Sequence, residues 1–93
     1  MQNLSKRNQN INYTFTESGY LLINIDVHQA EGVLYLNGYV VGICQLYYDS
    51  GYNHAETNFV PVKKGDKLTS YIRYLGSNNP IVDFLVYFFP YRR

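Results

Sequence analysis

The sequence predicts an all-β protein: an antiparallel β-sandwich, jelly-roll-like, of seven to eight short strands. Three observations predict it. Short segments alternate between apolar and polar residues, turn-forming residues separate them at close spacing, and no stretch has a helical period long enough to matter. In the last segment, Val82, Phe84, Val86 and Phe88 form an uninterrupted apolar face at the period of a strand.

The first half begins with residues 1–11, which are polar and are predicted to be a lead-in to a single domain at 12–93. Residues 12–16 alternate as a strand, with Tyr13 and Phe15 pointing the same way, and residues 17–19 form a turn. Residues 20–28 form the clearest strand, because its alternate positions are apolar: Leu21, Ile23, Ile25 and Val27.

The next element is a hairpin. Asn37-Gly38 between two β-rich arms is a strong signal for a type I′ turn. Gly42 in the second arm suggests a bulge or a close backbone approach.

The second half contains three more strands. Residues 47–54 are predicted to be a loop and 57–62 a short strand, and Pro61 either places this strand at a sheet edge or limits its pairing. Residues 63–66 form a turn, 67–75 alternate again, and 76–80 form a loop before the last strand.

The outer face of that last strand is also apolar, except at Asp83. Such a face needs cover, and another copy of the protein is the expected cover. The predicted interface between copies consists of Leu85, Tyr87, Phe89 and Tyr71. Asp83 must be paired, solvated or at the rim of that interface, and Arg73 on the preceding strand is its expected partner.

The composition excludes several classes of protein. A net charge of +1 does not indicate the basic surface that binds nucleic acid, and a single cysteine excludes an intramolecular disulfide. Cys44 is expected to be a small buried hydrophobe rather than a reactive thiol. The N-terminus has no apolar core of a signal peptide, and no segment reaches membrane-spanning length, so membrane insertion is not expected.

Catalytic and metal-binding patterns are weak. His28 and Asp26 share a face at a spacing that either binds a metal or is simply solvated. His54, with Asp49 and Glu56 nearby, lacks the repeated spacing of a metal site. No nucleophile or phosphate-binding motif is present, so we predict no enzyme, no cofactor and no metal site.

The tyrosine-rich loop is the strongest candidate for binding. Tyrosine combines a flat apolar ring with a hydroxyl group and a low side-chain entropy, which suits recognition and sugar stacking. The predicted ligand-binding residues are Tyr47, Tyr48, Asp49, Tyr52, Asn53 and His54. The alternative is a loop folded back onto the sandwich with its hydroxyl groups satisfied.

Several motifs follow one another in a familiar order. They are Ser18-Gly19-Tyr20 after an aromatic strand, Leu36-Asn37-Gly38 in a hairpin, the turn at residues 61–66 and the aromatic final strand. The chain thereby resembles the small jelly-roll heads of bacteriophage tail fibres, and in outline the complement globular-head and tumour-necrosis-factor-like fold.

This resemblance implies a trimeric head on a fibrous shaft. It would be located in the virion tail or outside the cell, and would bind a cell-surface glycan or protein receptor. The alternatives are a purely structural oligomeric virion subunit and a free-standing carbohydrate-binding module.

Overall fold

A computed structural model describes residues 1–47 and 51–91, apart from the side chains of residues 57 and 58. No helix in these residues is long and apolar enough to cross a membrane. The strands are β1 (Gln2–Asn3), β2 (Lys6–Arg7), β3 (Asn12–Thr14), β4 (Gly19–His28), β5 (Ala30–Leu36), β6 (Tyr39–Leu46), β7 (Asn53–Val62), β8 (Lys67–Tyr74) and β9 (Ile81–Pro90).

The strands form two antiparallel sheets packed face to face, so the predicted β-sandwich is confirmed. Sheet A has the order β1-β9-β4-β7, with β2 also paired to β9, and sheet B has the order β3-β8-β5-β6. The pairing is nested: the first strands pair with the last, β3 with β8, β4 with β7 and β5 with β6. Alternate pairs lie in opposite sheets, which is the jelly-roll arrangement.

The hairpin between β5 and β6 is confirmed. Asn37 and Gly38 both have positive φ, 53° and 84°, as a type I′ turn requires. The register between the two strands shifts after Leu34, which lies opposite Gly42, so the irregularity is beside the predicted glycine.

The core lies between the sheets and is built from the alternate residues of each strand. Along β4 and β9, inward residues are buried and outward residues are partly exposed. Cys44 is buried as predicted, and burial raises the pKa of its thiol. The largest fully buried side chains are Phe15, Phe84, Phe88, Leu21, Ile25, Leu34, Leu68, Val27, Val82 and Val86.

The predicted lead-in, residues 1–11, lies within the fold. β1 and β2 pair with β9, and between them the Leu4 amide donates to the Val86 carbonyl at 2.8 Å. Leu4 packs against the core, and Ile11 is buried. Residues 2–8 therefore form one interrupted edge strand of sheet A, whereas Asn10 and Ile11 bond to Ser70 in sheet B.

The other edge of sheet A is β7, which contains Pro61 as predicted. This strand begins at Asn53, earlier than the prediction of 57, so Asn53 and His54 belong to a strand rather than to the loop. A register shift between Leu21 and Ile23 in β4 marks a bulge in β7, where Phe59 has a φ of 59°.

The predicted ion pair between Arg73 and Asp83 is wrong. Consecutive strands β8 and β9 lie in different sheets, so the two side chains are not neighbours. Arg73 instead approaches Glu31 on β5, at 3.4 Å between Nε and Oε1. Asp83 accepts two hydrogen bonds from Arg7 on β2, at 2.6 and 2.7 Å, and this bidentate contact joins the N-terminal edge to β9.

Candidate functional site

An open cleft of 310 Å³ lies at one end of the sandwich, where β4 ends and β7 and β9 begin. Its walls are one aromatic ring, one imidazole, two amide side chains and an aliphatic residue. They belong to Tyr52, His28, Asn78, Asn79 and Ile81, together with the backbone of Gly51.

Tyr52 and His28 form the aromatic wall of this cleft. Their ring centroids are 5.5 Å apart, with 39° between the ring planes. His28 Nδ1 lies 2.6 Å from the Gly51 carbonyl oxygen, and since a carbonyl only accepts, Nδ1 carries the proton in this contact. The Tyr52 side chain is 60% exposed, so an apolar ring is held in place but remains open to solvent.

The amide wall comes from the loop between β8 and β9, which a buried glutamine anchors. The Gln29 carbonyl accepts from the amides of Leu75 and Gly76, at 2.9 and 3.2 Å. Its side-chain Oε1 accepts from the Asn78 amide at 3.0 Å. The next residue, Asn79, has a φ of 52°, a left-handed conformation that asparagine tolerates better than most residues. The anchored loop therefore places Asn78 and Asn79 in the lining of the cleft.

The predicted ligand-binding residues divide between this cleft and its surroundings. Tyr52 lines the cleft. Tyr47 is exposed just beyond the end of β6, where its hydroxyl oxygen accepts from Gln45 Nε2 at 2.9 Å. Tyr48 and Asp49 lie outside the described residues.

The side chains of Asn53 and His54 are held within the fold. Asn53 Nδ2 donates to the Gln45 carbonyl at 2.8 Å, and its Oδ1 accepts from the His54 amide at 3.0 Å. The His54 ring lies between two carboxylates: Nδ1 contacts Asp26, and Nε2 lies 3.1 Å from Glu56 Oε1. These two contacts, Asp26 first, raise the pKa of His54.

The acidic contacts of His54 do not make a metal centre. Among residues 1–47 and 51–91, no group of three or more His, Cys, Asp or Glu side chains is placed to hold a metal ion. Asp26 contacts His54 rather than His28, so the paired spacing of His28 and Asp26 in the sequence does not bring their side chains to a common ligand.

The predicted interface residues lie on two opposite surfaces. Leu85, Tyr87 and Phe89 alternate with the buried residues of β9 and therefore point outward from sheet A, where each is partly exposed. Tyr71 on β8 lies opposite Val33 on β5, on the outer face of sheet B. A single flat contact cannot cover both faces.

The outer face of sheet A ends in a cluster of aromatic rings. Tyr20 stacks on Phe89, with centroids 5.0 Å apart and 10° between the planes. Phe59 and Tyr91 pack on the same tyrosine, at 5.3 and 6.3 Å. Phe59 is 67% exposed, which is unusual for so large an apolar side chain.

Comparisons of the chain with protein family models, with curated proteins and with solved structures find no match. His28 was considered in the sequence only as a metal ligand beside Asp26, and Asn78, Asn79 and Ile81 were not predicted as site residues. The sequence signal for these last three was the turn composition of residues 76–80. An exposed ring beside two amides offers an apolar platform together with hydrogen-bond donors and acceptors.

Proposed function

We propose that this protein is the non-enzymatic, trimeric receptor-binding head of a phage tail fibre or a related injection apparatus, and that it recognises a cell-surface glycan. The observation that carries the proposal is the exposed Tyr52 ring fixed against His28 in an amide-lined cleft. A sugar ring has an apolar face of C–H groups that packs on an aromatic ring. Its hydroxyl groups both donate and accept hydrogen bonds, which matches the amides of Asn78 and Asn79.

Binding in this proposal depends on avidity. The cleft is open, so one copy buries little of a sugar and binds it weakly. Three copies on one axis would present three clefts to one cell surface, and the later contacts would form at a high effective concentration.

Assembly in this proposal uses the outer face of sheet A, which neighbouring copies of the chain cover around the threefold axis. This face carries Leu85, Tyr87 and Phe89 of the predicted interface, and it continues into the aromatic cluster around Tyr20. Apolar area of this kind on a small protein favours association. Two ionisable pairs, Asp83 with Arg7 and Asp26 with His54, lie at the border of this face. Their charges would allow the neighbouring copies to pack in only one relative position.

A second candidate is a structural virion subunit with no ligand. The internal hydrogen bonds of Asn53 and His54 favour it, because those polar groups are already occupied within the fold. A free-standing carbohydrate-binding module is a third candidate, and it differs from the others in being a monomer.

A glycan array with matched tyrosine variants tests the binding proposal. We expect the wild-type chain to bind a subset of glycans and Tyr52→Ala to lose that binding. Tyr39→Ala is the control: Tyr39 lies at the tip of the β5–β6 hairpin, is 79% exposed, and should have no effect. Equal loss in both variants, or binding that survives Tyr52→Ala, would remove the Tyr52 cleft from the proposal.

Light scattering at low micromolar concentration tests assembly separately. A trimer agrees with the receptor head and with the structural subunit, and the array then separates these two. A monomer that binds glycans would identify a free-standing module instead.

A further inference from the structure

A second cleft, of 360 Å³, lies at the other end of the sandwich. Its walls are Thr16, Glu17 and Ser18 from the β3–β4 connection, Lys64 from the β7–β8 turn, and Tyr91 after β9. We propose that this is a second saccharide site, and that it takes a neutral pyranose unit.

The two clefts lie at opposite ends of the same strand pair. β4 and β9 run antiparallel, with Gly19 opposite Pro90 at one end and His28 opposite Ile81 at the other. The chain is 47 Å long on its longest axis. One pyranose unit cannot reach both clefts, so the second cleft is a separate site.

The walls of the second cleft are tied to one another. The Tyr91 amide donates to the Ser18 carbonyl at 3.1 Å, and the Lys64 amide donates to Ser18 Oγ at 3.2 Å. A single residue thus fixes both the C-terminal segment and the β7–β8 turn. Little backbone ordering is left to be done when a ligand binds.

The aromatic wall is also held in place. The Tyr91 ring packs on Tyr20, which stacks on Phe89, and yet Tyr91 is 58% exposed. The Tyr91 ring thus has a tilted contact with Tyr20 inside the protein, while much of the residue remains in contact with solvent. Its exposed ring can supply a platform for an apolar sugar face.

The polar groups around this ring indicate a neutral ligand. Glu17 accepts hydrogen bonds from hydroxyl groups, the Lys64 ammonium donates to sugar oxygens, and the Thr16 hydroxyl does both. Sugar hydroxyl groups satisfy both charged side chains at once. Because Glu17 and Lys64 carry opposite charges, a carboxylate or an ammonium group on the sugar meets one attractive and one repulsive partner, and it must still lose part of its own hydration.

The inference shares its ligand class with the proposed function, but it depends on different residues, so the two can fail separately. The test is a titration of the full, ¹⁵N-labelled chain with methyl glycosides of glucose, galactose and mannose and with methyl glucuronide, followed by two-dimensional NMR. We expect the neutral glycosides to shift the amides of Glu17, Ser18 and Lys64, and the glucuronide to shift them less.

Two variants make the assignment specific. Tyr91→Ala should weaken binding at the second cleft by about tenfold, because it removes the stacking platform. Glu17→Gln keeps the shape of the side chain but removes its charged hydrogen-bond acceptor, so it should also weaken binding at the second cleft. Tyr52→Ala should leave the shifts at Ser18 and Lys64 unchanged.

The outcomes separate the two hypotheses. Shifts confined to His28, Tyr52 and Asn79 would overturn the second site and support the proposed one. Shifts confined to Ser18 and Lys64 would do the reverse. Three further results would each overturn the second site. They are no shift at either end, a response to the glucuronide alone, and full binding by both Tyr91→Ala and Glu17→Gln.

Discussion

Adding a single methyl group at Gly32 should destabilise the sandwich. Gly32 lies on β5, where a side chain would point toward sheet A. A Cβ built on Gly32 would lie 2.7 Å from Val82 Cγ1. It would also lie 3.1 Å from Phe84 Cε1 and 3.2 Å from Ile25 Cγ2. Carbon atoms pack best at about 3.5–4.0 Å, so three contacts from the opposite sheet become too short.

The size of the effect follows from these contacts. Overpacking a well-packed core costs about 1–3 kcal/mol. The substitution also restricts the unfolded chain, which offsets about 0.4–1 kcal/mol of that cost. We expect Gly32→Ala to lower the free energy of unfolding by about 1–2 kcal/mol, or Tm by about 4–16 °C.

A double-mutant cycle with Val82→Ala identifies the cause. Val82→Ala alone leaves a cavity and should cost about 2 kcal/mol. In the double variant the new methyl group enters that cavity, so the combined loss should be smaller than the sum of the two single losses by about 1 kcal/mol. Urea denaturation followed by circular dichroism measures all four proteins at one concentration, since the proposed assembly would make the midpoint depend on concentration. Additive losses, or a stabilised Gly32→Ala, would refute the packing of β5 against β9.

Three further predictions concern charge and assembly. The raised pKa of His54 means that its stabilising contacts are fully present below its unfolded pKa of about 6.5 and are lost as the pH rises through the folded pKa. The denaturation midpoint of the wild type should therefore exceed that of His54→Asn at about pH 6, and this difference should shrink as the pH rises above about 6.5. A difference that does not change with pH would contradict the contact. The hydrogen bond from Asn37 lowers the pKa of Asp66. Asp66 therefore stabilises the fold above its unfolded pKa of about 3.9, and this contribution is lost as the pH falls through the folded pKa. In Asp66→Asn, the free energy of unfolding should fall less steeply as the pH is lowered. Light scattering should show that Leu85→Arg dissociates the proposed trimer while Tyr71→Arg, on the opposite sheet, does not. The opposite result would move the interface to sheet B.

Much of the fold could be predicted because its signals are local. Asn37-Gly38 determines a turn by its own backbone preferences, and Pro61 cannot donate within a central strand, so both positions could be read without knowing their neighbours. The inward face of β9 was also predictable, since alternate burial follows from strand geometry alone.

The rest depends on which strands become neighbours, and local patterns do not carry that information. Arg73 and Asp83 are close in sequence but lie in opposite sheets, because the jelly roll assigns β8 and β9 to different layers. β1 and β2 have polar, exposed residues, and what joins them to β9 is backbone hydrogen bonding together with the bidentate contact of Arg7. The candidate cleft likewise combines the ends of distant strands: His28 and Asn79 meet only after the sandwich has formed.

An isotope-filtered nuclear Overhauser experiment on the wild-type chain, with a sugar selected by the glycan array, locates the bound sugar on the protein. We expect cross-peaks between the Tyr52 ring protons and the C–H protons on one face of the sugar, with further contacts to the side-chain amide of Asn79. A bound sugar whose cross-peaks avoid Tyr52 altogether would contradict this expectation.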